Sequence, residues 1–510
     1  ALAGCNPSVA DYCSPGSPEC TAFDASAEAA RECGPEAEAA PSACDPTKPP
    51  HDEGCVIDDA YGIFVSPAGS DTNPGSKAAP LGSIGHAMDL AKAAAKRVYI
   101  CAGTYREELM VGPSRDGTNA YGALDCATWT YGAANRVVVA PAQSAYALAI
   151  EGLQTGATFE DIEFDAQNAT TGTPGASSIA VFIGNSQGAT FHRVTMMAGK
   201  GNDGAARGSG TATNWFGTAP AYAELNGNNA GDAGGAPSKQ CRCADQSQTS
   251  GGEGGGPMNI PTPTAGQPLY GDAGVGAAGM NATQCSLRGG GINGGDAPAA
   301  VADTPSTSLG TCSASGWTPG VGVSGANGEP GQGGGGGGNG TLSAGSGGSG
   351  ACGGCGGWGG QGGSGGGSSI ALLSFQSSLT LTGCSLTANT AGSGGSGGRG
   401  EAGQGGGIMG GNGNLGGCQG AAGGAGAGGN GGQGGAGGLS LGIGYVGTPP
   451  TIDGAVVSQT SAHSGITIGA AGAGGAGGLR GASATNSTGP AGALGAPGQP
   501  GVAAAVEAVP

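Results

Sequence analysis

Charge is scarce in this chain, and basic charge is scarcest. Only 10% of the 510 residues are charged, and 17 Lys and Arg stand against 35 Asp and Glu, a net charge of −18. So little basic charge cannot neutralise a phosphate backbone, which excludes a nucleic-acid partner. No run of 18 apolar residues occurs, so no transmembrane segment is expected. The four histidines, His51, His86, His192 and His463, are scattered and have no nucleophile beside them in sequence. Sixteen cysteines with so few histidines point to disulfides in an oxidising compartment rather than to zinc.

Glycine is what the chain has in excess. Glycine (119) and proline (30) make up about 29% of it, the composition of a disordered or periodic fibrous sequence. Disorder normally comes with high charge. Low charge and a visible period favour ordered glycine helices here. In residues 346–364, Ser346, Ser349, Cys352, Cys355, Trp358, Gln361 and Ser364 fall on every third position, and all between them but Ala351 is glycine. A period of three fits neither the α-helix nor the strand. It fits a polyproline-II-type helix, three residues per turn and about 3.1 Å rise. The phase recurs at Ser393, Ser396, Arg399 and Ala402, at Asn430, Gln433 and Ala436, and at Ala473, Ala476 and Leu479.

Collagen also has period three, but it needs frequent proline and three chains. These Gly-Gly-X tracts resemble the polyglycine-II bundles of springtail antifreeze proteins and phage tail-fibre tips. Such a helix has no internal hydrogen bonds, so its backbone groups must pair with neighbouring helices. Ala351 breaks the glycine phase and is expected at an exposed edge.

A second repeat is strand-like. Thr158-Phe-Glu-Asp-Ile-Glu-Phe-Asp-Ala aligns with segments starting at Thr190, Thr380 and Thr451. Apolar runs at 177–183, 368–373 and 439–443 precede three of them. Alternation puts Ile162, Val194, Cys384 and Ala455 at one inward position, and Phe164, Met196, Leu386 and Val457 at the next. One such unit cannot bury its apolar face, whereas stacked units can.

Upstream, Val65-Ser-Pro-Ala-Gly-Ser-Asp-Thr-Asn-Pro-Gly75, Ile84 to Ala87 and Val98-Tyr-Ile-Cys-Ala-Gly-Thr-Tyr-Arg-Glu107 resemble the N-terminal region of secreted right-handed parallel β-helix proteins of the pectin-lyase-like superfamily. Leu81-Gly82 departs from that pattern. Ser83 is placed to cap a helix through Ile84, Ala87, Met88 and Ala91. The expected fold is all-β: a right-handed parallel β-helix whose glycine-rich insertions form a polyglycine-II bundle. The expected segments are a Cys-rich 1–57, β-helix at 58–198, 368–388 and 439–469, insertions at 199–367 and 389–438, and a Gly/Ala-rich 470–510.

Leu2-Ala3-Gly4-Cys5 resembles a bacterial lipobox, which makes Cys5 the candidate lipidation site. Cys13, Cys20, Cys33, Cys44, Cys55, Cys101, Cys126, Cys241, Cys243, Cys285, Cys312, Cys352, Cys355 and Cys418 are expected in disulfides, and Cys384 as a buried thiol. In a three-fold helix the Cα atoms of Cys352 and Cys355 lie ~9 Å apart, beyond the roughly 7 Å reach of a disulfide. They should bridge to other segments, with Cys285, Cys312 and Cys418 as candidates. Cys241 and Cys243 cannot readily close on each other.

The resemblance invites a search for polysaccharide lyase or hydrolase motifs, and none is found. Glu160, Asp161, Glu163 and Asp165 form an acidic cluster, and the stacked repeat sets Asp161 beside Arg193 and Glu160 beside His192. An inter-turn ion pair and a calcium or catalytic site are the two readings. Trp215, Trp317 and Trp358 either stack on sugars or pack on glycine helices. No catalytic, cofactor-binding or metal residue is assigned. The expected protein is a non-enzymatic, exported structural or adhesive surface protein, partnered by itself in a filament or matrix, or by surface polysaccharide. A β-helix polysaccharide lyase or hydrolase is the alternative, and an ice-binding protein a third reading.

Overall fold

The computed structural model describes residues 44–143, 146–208, 213–218, 223–231, 234–270, 285, 289–340, 345–484 and 488–510. The chain divides into two units, Ala1–Val56 and Ile57–Pro510. In the first, Cys44 is bonded to Cys55 and a 3₁₀ turn spans Gly54–Val56. Cys5, Cys13, Cys20 and Cys33 lie outside the described residues.

The second unit is predominantly β, with one α-helix, Ile84–Ala94, among the described residues. Three sheets carry it, and their strands run parallel but for one terminal pair. The chain visits the sheets in fixed rotation. Arg97–Cys101 lies in the first, Gly103–Tyr105 in the second and Leu109–Val111 in the third; Ala120–Leu124 then returns to pair with Arg97–Cys101. This arrangement is compatible with a β-helix. The repeats stack in register: Thr158, Thr190, Thr380 and Thr451 are successive partners in the first sheet. Phe159 and Phe191, one position on, stack with centroids 5.7 Å apart, a pairing worth ~0.5–1.5 kcal/mol beyond its buried area. The middle strands of the third sheet are covered on both faces. Val181, Leu372 and Ile443 join the inner core, and Phe182, Ile370 and Leu441 an outer one. Parallel strands buried on both faces read as unbroken apolar runs, which explains Ser178–Gly184 and Ser369–Phe375.

Two expectations need correction. Ser83 sits at the helix N-cap but its hydroxyl does not cap; it donates to Asp71 at 2.7 Å, a charged and therefore stronger acceptor. The Glu107 carboxylate takes over, accepting the N–H groups of Ile84 (2.7 Å) and Gly85 (3.0 Å). In the fourth repeat, Ala455 and Val457 do not continue the stack. Asp453 (φ 48°) and Gly454 (φ 81°) turn the chain back, so that Ala455–Val456 pairs antiparallel with Thr451–Ile452. Two positive φ values fit a type I′ hairpin, which Asp-Gly favours. Ile466 then takes the place beside Leu386 that Val457 was expected to fill.

Three of the terminal sheet edges are covered. That hairpin closes the last edge of the first sheet, and Thr460 exchanges two hydrogen bonds with Val506 on the last strand of the third. At the other end, Phe64 bonds to Gly75 and Leu81 along the edge of Gly62–Val65.

All three glycine-rich stretches leave after a strand of the second sheet (Thr195–Met197, Ser385–Thr387, Ile466–Thr467) and re-enter the third (Ser369–Phe375, Ser440–Val446, Ala503–Ala508). Their hydrogen bonds repeat every third residue. Along 418–436, the N–H groups of Cys418, Ala421, Gly424, Ala427, Asn430, Gln433 and Ala436 donate to carbonyls at 338, 335, 332, 329, 326, 323 and 320. The N–H groups of Gly423, Gly426, Gly429, Gly432, Gly435 and Gly438 donate to a second neighbour, 392–407. Those of Gly428, Gly431, Gly434 and Gly437 donate to a third, 490–499. Each phase addresses its own neighbour. The approach is close enough that a Cβ at Gly423 would collide with the Cys352 carbonyl.

Ser346, Ser349, Cys352 and Cys355 are fully buried in this assembly. So is Ala351, contrary to the exposed edge expected for it. Its methyl is accommodated because the facing residue is Gly407, where an added Cβ would lie 2.8 Å from it.

Candidate functional site

The acidic cluster sits at a corner between the first and second sheets. Glu160 and His192 are partners at the ends of Ala157–Glu160 and Ala189–His192. The next residues, Asp161 (φ 56°) and Arg193 (φ 51°), are both left-handed, and Gly383 (φ 60°) follows in the adjacent layer. This shared turn stacks Arg193 on Asp161. The guanidinium grips the carboxylate with both prongs, Nε to Oδ1 at 2.9 Å and Nη2 to Oδ2 at 2.8 Å. Nη2 also donates to Glu160, which is 4% exposed. Arg136 Nη2 pairs with Glu163 Oε2 across the second sheet. Asn135, Arg136, Asp161, Glu163, Arg193 and Thr195 line a 280 Å³ cleft there.

Hydrogen bonding to Asp161 raises the Arg193 pKa further, so the guanidinium stays charged. Burial and the neighbouring Glu163 charge hold the Asp165 carboxyl above the usual range. A general base needs a free lone pair within reach of a substrate proton. Here Glu160, Asp161 and Glu163 each accept from a guanidinium, whereas Asp165 has no ion pair among the described residues. The arrangement clamps adjacent layers of the stack. Among the described residues, no three His, Cys, Asp or Glu side chains converge as a metal-binding group.

The cysteines form a second constellation. Cys101 is bonded to Cys126. Cys352 and Cys355 both bridge outward, but to Cys241 and Cys243 rather than to Cys285, Cys312 or Cys418. Cys241 and Cys243 are buried at alternate positions of Gln240–Arg242 and the residue after it, so they face the same way and meet two successive X positions of the glycine segment. Cys285 is bonded to Cys418. Cys312, expected in a disulfide, is a free thiol. It lies in the strand Gly310–Ser313 opposite Trp317 and packs into the outer core with Ile179 and Phe182. That apolar setting pushes its pKa up to about 11, which makes it a packing residue rather than a nucleophile. Cys384 is the other free thiol among the described residues. It packs half-buried against the inner core, and burial raises its pKa.

Sequence reasoning overlooked one set of residues: Ser178, Ser369 and Ser440, buried at the first positions of successive third-sheet strands. Each hydroxyl donates to the chain leaving the second sheet in its own layer, at Gln167 (2.7 Å), Gly199 (2.7 Å) and Asn389 (2.9 Å). Each also accepts an N–H from the next layer, at Gly199, Asn389 and Gly469. The repeated Ser before each apolar run was the available signal. This ladder ties down the roots of all three glycine-rich stretches. No known protein family, curated protein or solved structure matches this chain.

Proposed function

We propose that this is an exported, non-enzymatic structural or adhesive surface protein, in which a right-handed parallel β-helix carries a polyglycine-II helix bundle. The observation that carries the reading is the hydrogen bonding of 418–438, where three phases of N–H groups address three neighbouring segments. That pattern belongs to glycine helices packed side by side, and it turns low-complexity sequence into a rigid body with little charge. Among the described residues, five disulfides suit an oxidising, extracellular setting, and no helix is long and apolar enough to cross a membrane. Cys5 supplies a lipid anchor to the cell surface in this reading. The pairing of Asp161 with Arg193 and of Glu163 with Arg136 supports a scaffold over a lyase.

Self-assembly proceeds through the sides of the glycine bundle. Ala473, Ala476 and Leu479 lie exposed at three-residue steps along an outer segment. Light scattering and electron microscopy of the purified chain test this: concentration-dependent assembly is expected, and a monomer at every concentration refutes self-association.

A further inference from the structure

A second cleft lies far from the acidic corner, on the outer face of the third sheet. It measures 360 Å³ and is lined by Glu108, Tyr146, Ser177, Ile179, Trp317 and Pro319, with backbone at 175–176. Its far wall is the hairpin of Gly310–Ser313 and Gly316–Pro319, which the first glycine-rich stretch sends back over strand Ser178–Gly184. The volume falls in the ~300–1,000 Å³ range of small-ligand sites.

Its chemistry is specific. The Tyr146 ring is fixed by stacking on Phe182, centroids 5.3 Å apart and 22° between planes. Trp317 Nε1 is shielded from solvent and has no hydrogen-bond partner among the described residues. Ser177 accepts the N–H of Ser368 at 2.9 Å, which leaves its own proton to donate. Glu108 is exposed, and no ion pair or hydrogen bond engages its carboxylate among the described residues. The cleft thus offers two aromatic rings, the Ser177 hydroxyl as a donor and one free carboxylate acceptor. No Lys or Arg lines it.

The geometry points to a binding site for a neutral oligosaccharide between strand Ser178–Gly184 and the Trp317 hairpin. Sugar rings present an apolar C–H face, which aromatic side chains cover, and rim hydroxyls, which a carboxylate and N–H or O–H donors hold. Without a cation, a uronate or sulfated sugar would set its charge against Glu108. This inference rests on the adhesive reading above and gives it a ligand class and a site.

Calorimetric titration of the full chain with neutral glucan, mannan and chitin oligosaccharides, beside oligogalacturonate, tests it. At least one neutral oligosaccharide is expected to bind, with oligogalacturonate weaker by about tenfold or more. Glu108→Gln, at an exposed position, should weaken binding about tenfold without changing Tm, because a hydrogen bond to a charged group is lost. Trp317→Ala should abolish binding. The inference is overturned if no neutral oligosaccharide binds at millimolar concentration, if oligogalacturonate binds best, or if Glu108→Gln leaves affinity unchanged. Light scattering on the same samples reports self-assembly separately, so failure of the glycan site and failure of the scaffold reading are distinguishable.

Discussion

The hydroxyl of Ser369 donates a 2.7 Å hydrogen bond to the carbonyl of Gly199, 170 residues away in sequence. The same oxygen accepts the N–H of Asn389 at 2.7 Å. One buried side chain therefore fixes where the first glycine-rich stretch leaves and where the second begins. Ser369→Ala strands a buried carbonyl and a part-buried N–H at once. The expected cost is ~1–3 kcal/mol for the buried carbonyl, with a smaller addition from the part-buried N–H. Urea unfolding checks it, with Ser315→Ala on the exposed hairpin tip as a near-neutral control.

Gly423 tests whether the glycine segments are held by close backbone approach. An added methyl at Gly423 meets the Cys352 carbonyl, and the Gly423 N–H bond to Gly407 at 2.9 Å must stretch to admit it. Gly423→Ala should destabilise the chain by about 1–3 kcal/mol or more and speed amide exchange along 392–438. Ala476→Ser, at an exposed X position, should leave both unchanged.

The strand repeat was legible because stacking demands the same residue types in the same order. Thr158, Thr190, Thr380 and Thr451 do stack, and so do Phe159, Phe191, Leu381 and Ile452. It failed at Asp453-Gly454, where a local turn signal outweighed the pattern and the alignment ran past it. The three-residue phase was legible because glycine is required wherever two backbones touch. Which cysteines meet was not legible, since that depends on which segments lie side by side, and irregular loops set this. The site at Asp161 and Arg193 was readable as a pair. The second grip of Arg193, on Glu160, was not, because it follows from the left-handed turn that both corner residues share.

Gly454 is placed at φ 81° in that overlooked turn. Gly454→Val puts a β-branched residue in the left-handed region, which costs ~1–2 kcal/mol. The loss should stay local, because the hairpin lies at the end of the stack. Amide exchange at Asp453 and Val457 is expected to accelerate while the amides of Phe191 and Leu381 keep their protection.

Glu401 makes stability fall as pH rises through the acid range. Burial lifts its carboxyl above the ordinary value against the lowering effect of hydrogen bonds from the N–H groups of Trp358 and Asn214. Its Oε1 is buried without a partner among the described residues. The native state therefore holds the proton more tightly than the unfolded state. Stability declines between the unfolded value and the raised one, and the cost stays above both. Glu401→Gln should flatten that decline and gain stability at neutral pH relative to the native chain. Asp89 runs the other way. A hydrogen bond from Arg115 lowers its value, so its contribution is present above the unfolded value and disappears as pH falls through the lowered one. Asp89→Asn should flatten the acid loss alone. Urea midpoints measured from about pH 3 to 8 separate the two.

The paired bridges Cys241–Cys352 and Cys243–Cys355 span 111 and 112 residues. Closing a loop of that length removes about 4–5 kcal/mol of unfolded-chain entropy. The two bridges do not each contribute that amount. Once one is formed, the other closes a ring of only a few residues between neighbouring cysteines. Replacing Cys241 and Cys352 together with serine should therefore cost about 1–2 kcal/mol, well below the single-loop figure, and replacing Cys243 and Cys355 should cost the same. Removing all four should cost at least the full 4–5 kcal/mol, more than the sum of the two pairwise losses. Denaturant unfolding of the three variants measures it. If each pair alone lost the full amount, the two bridges would be acting as independent cross-links, and the rungs could not lie side by side as Cys241 and Cys243 place them.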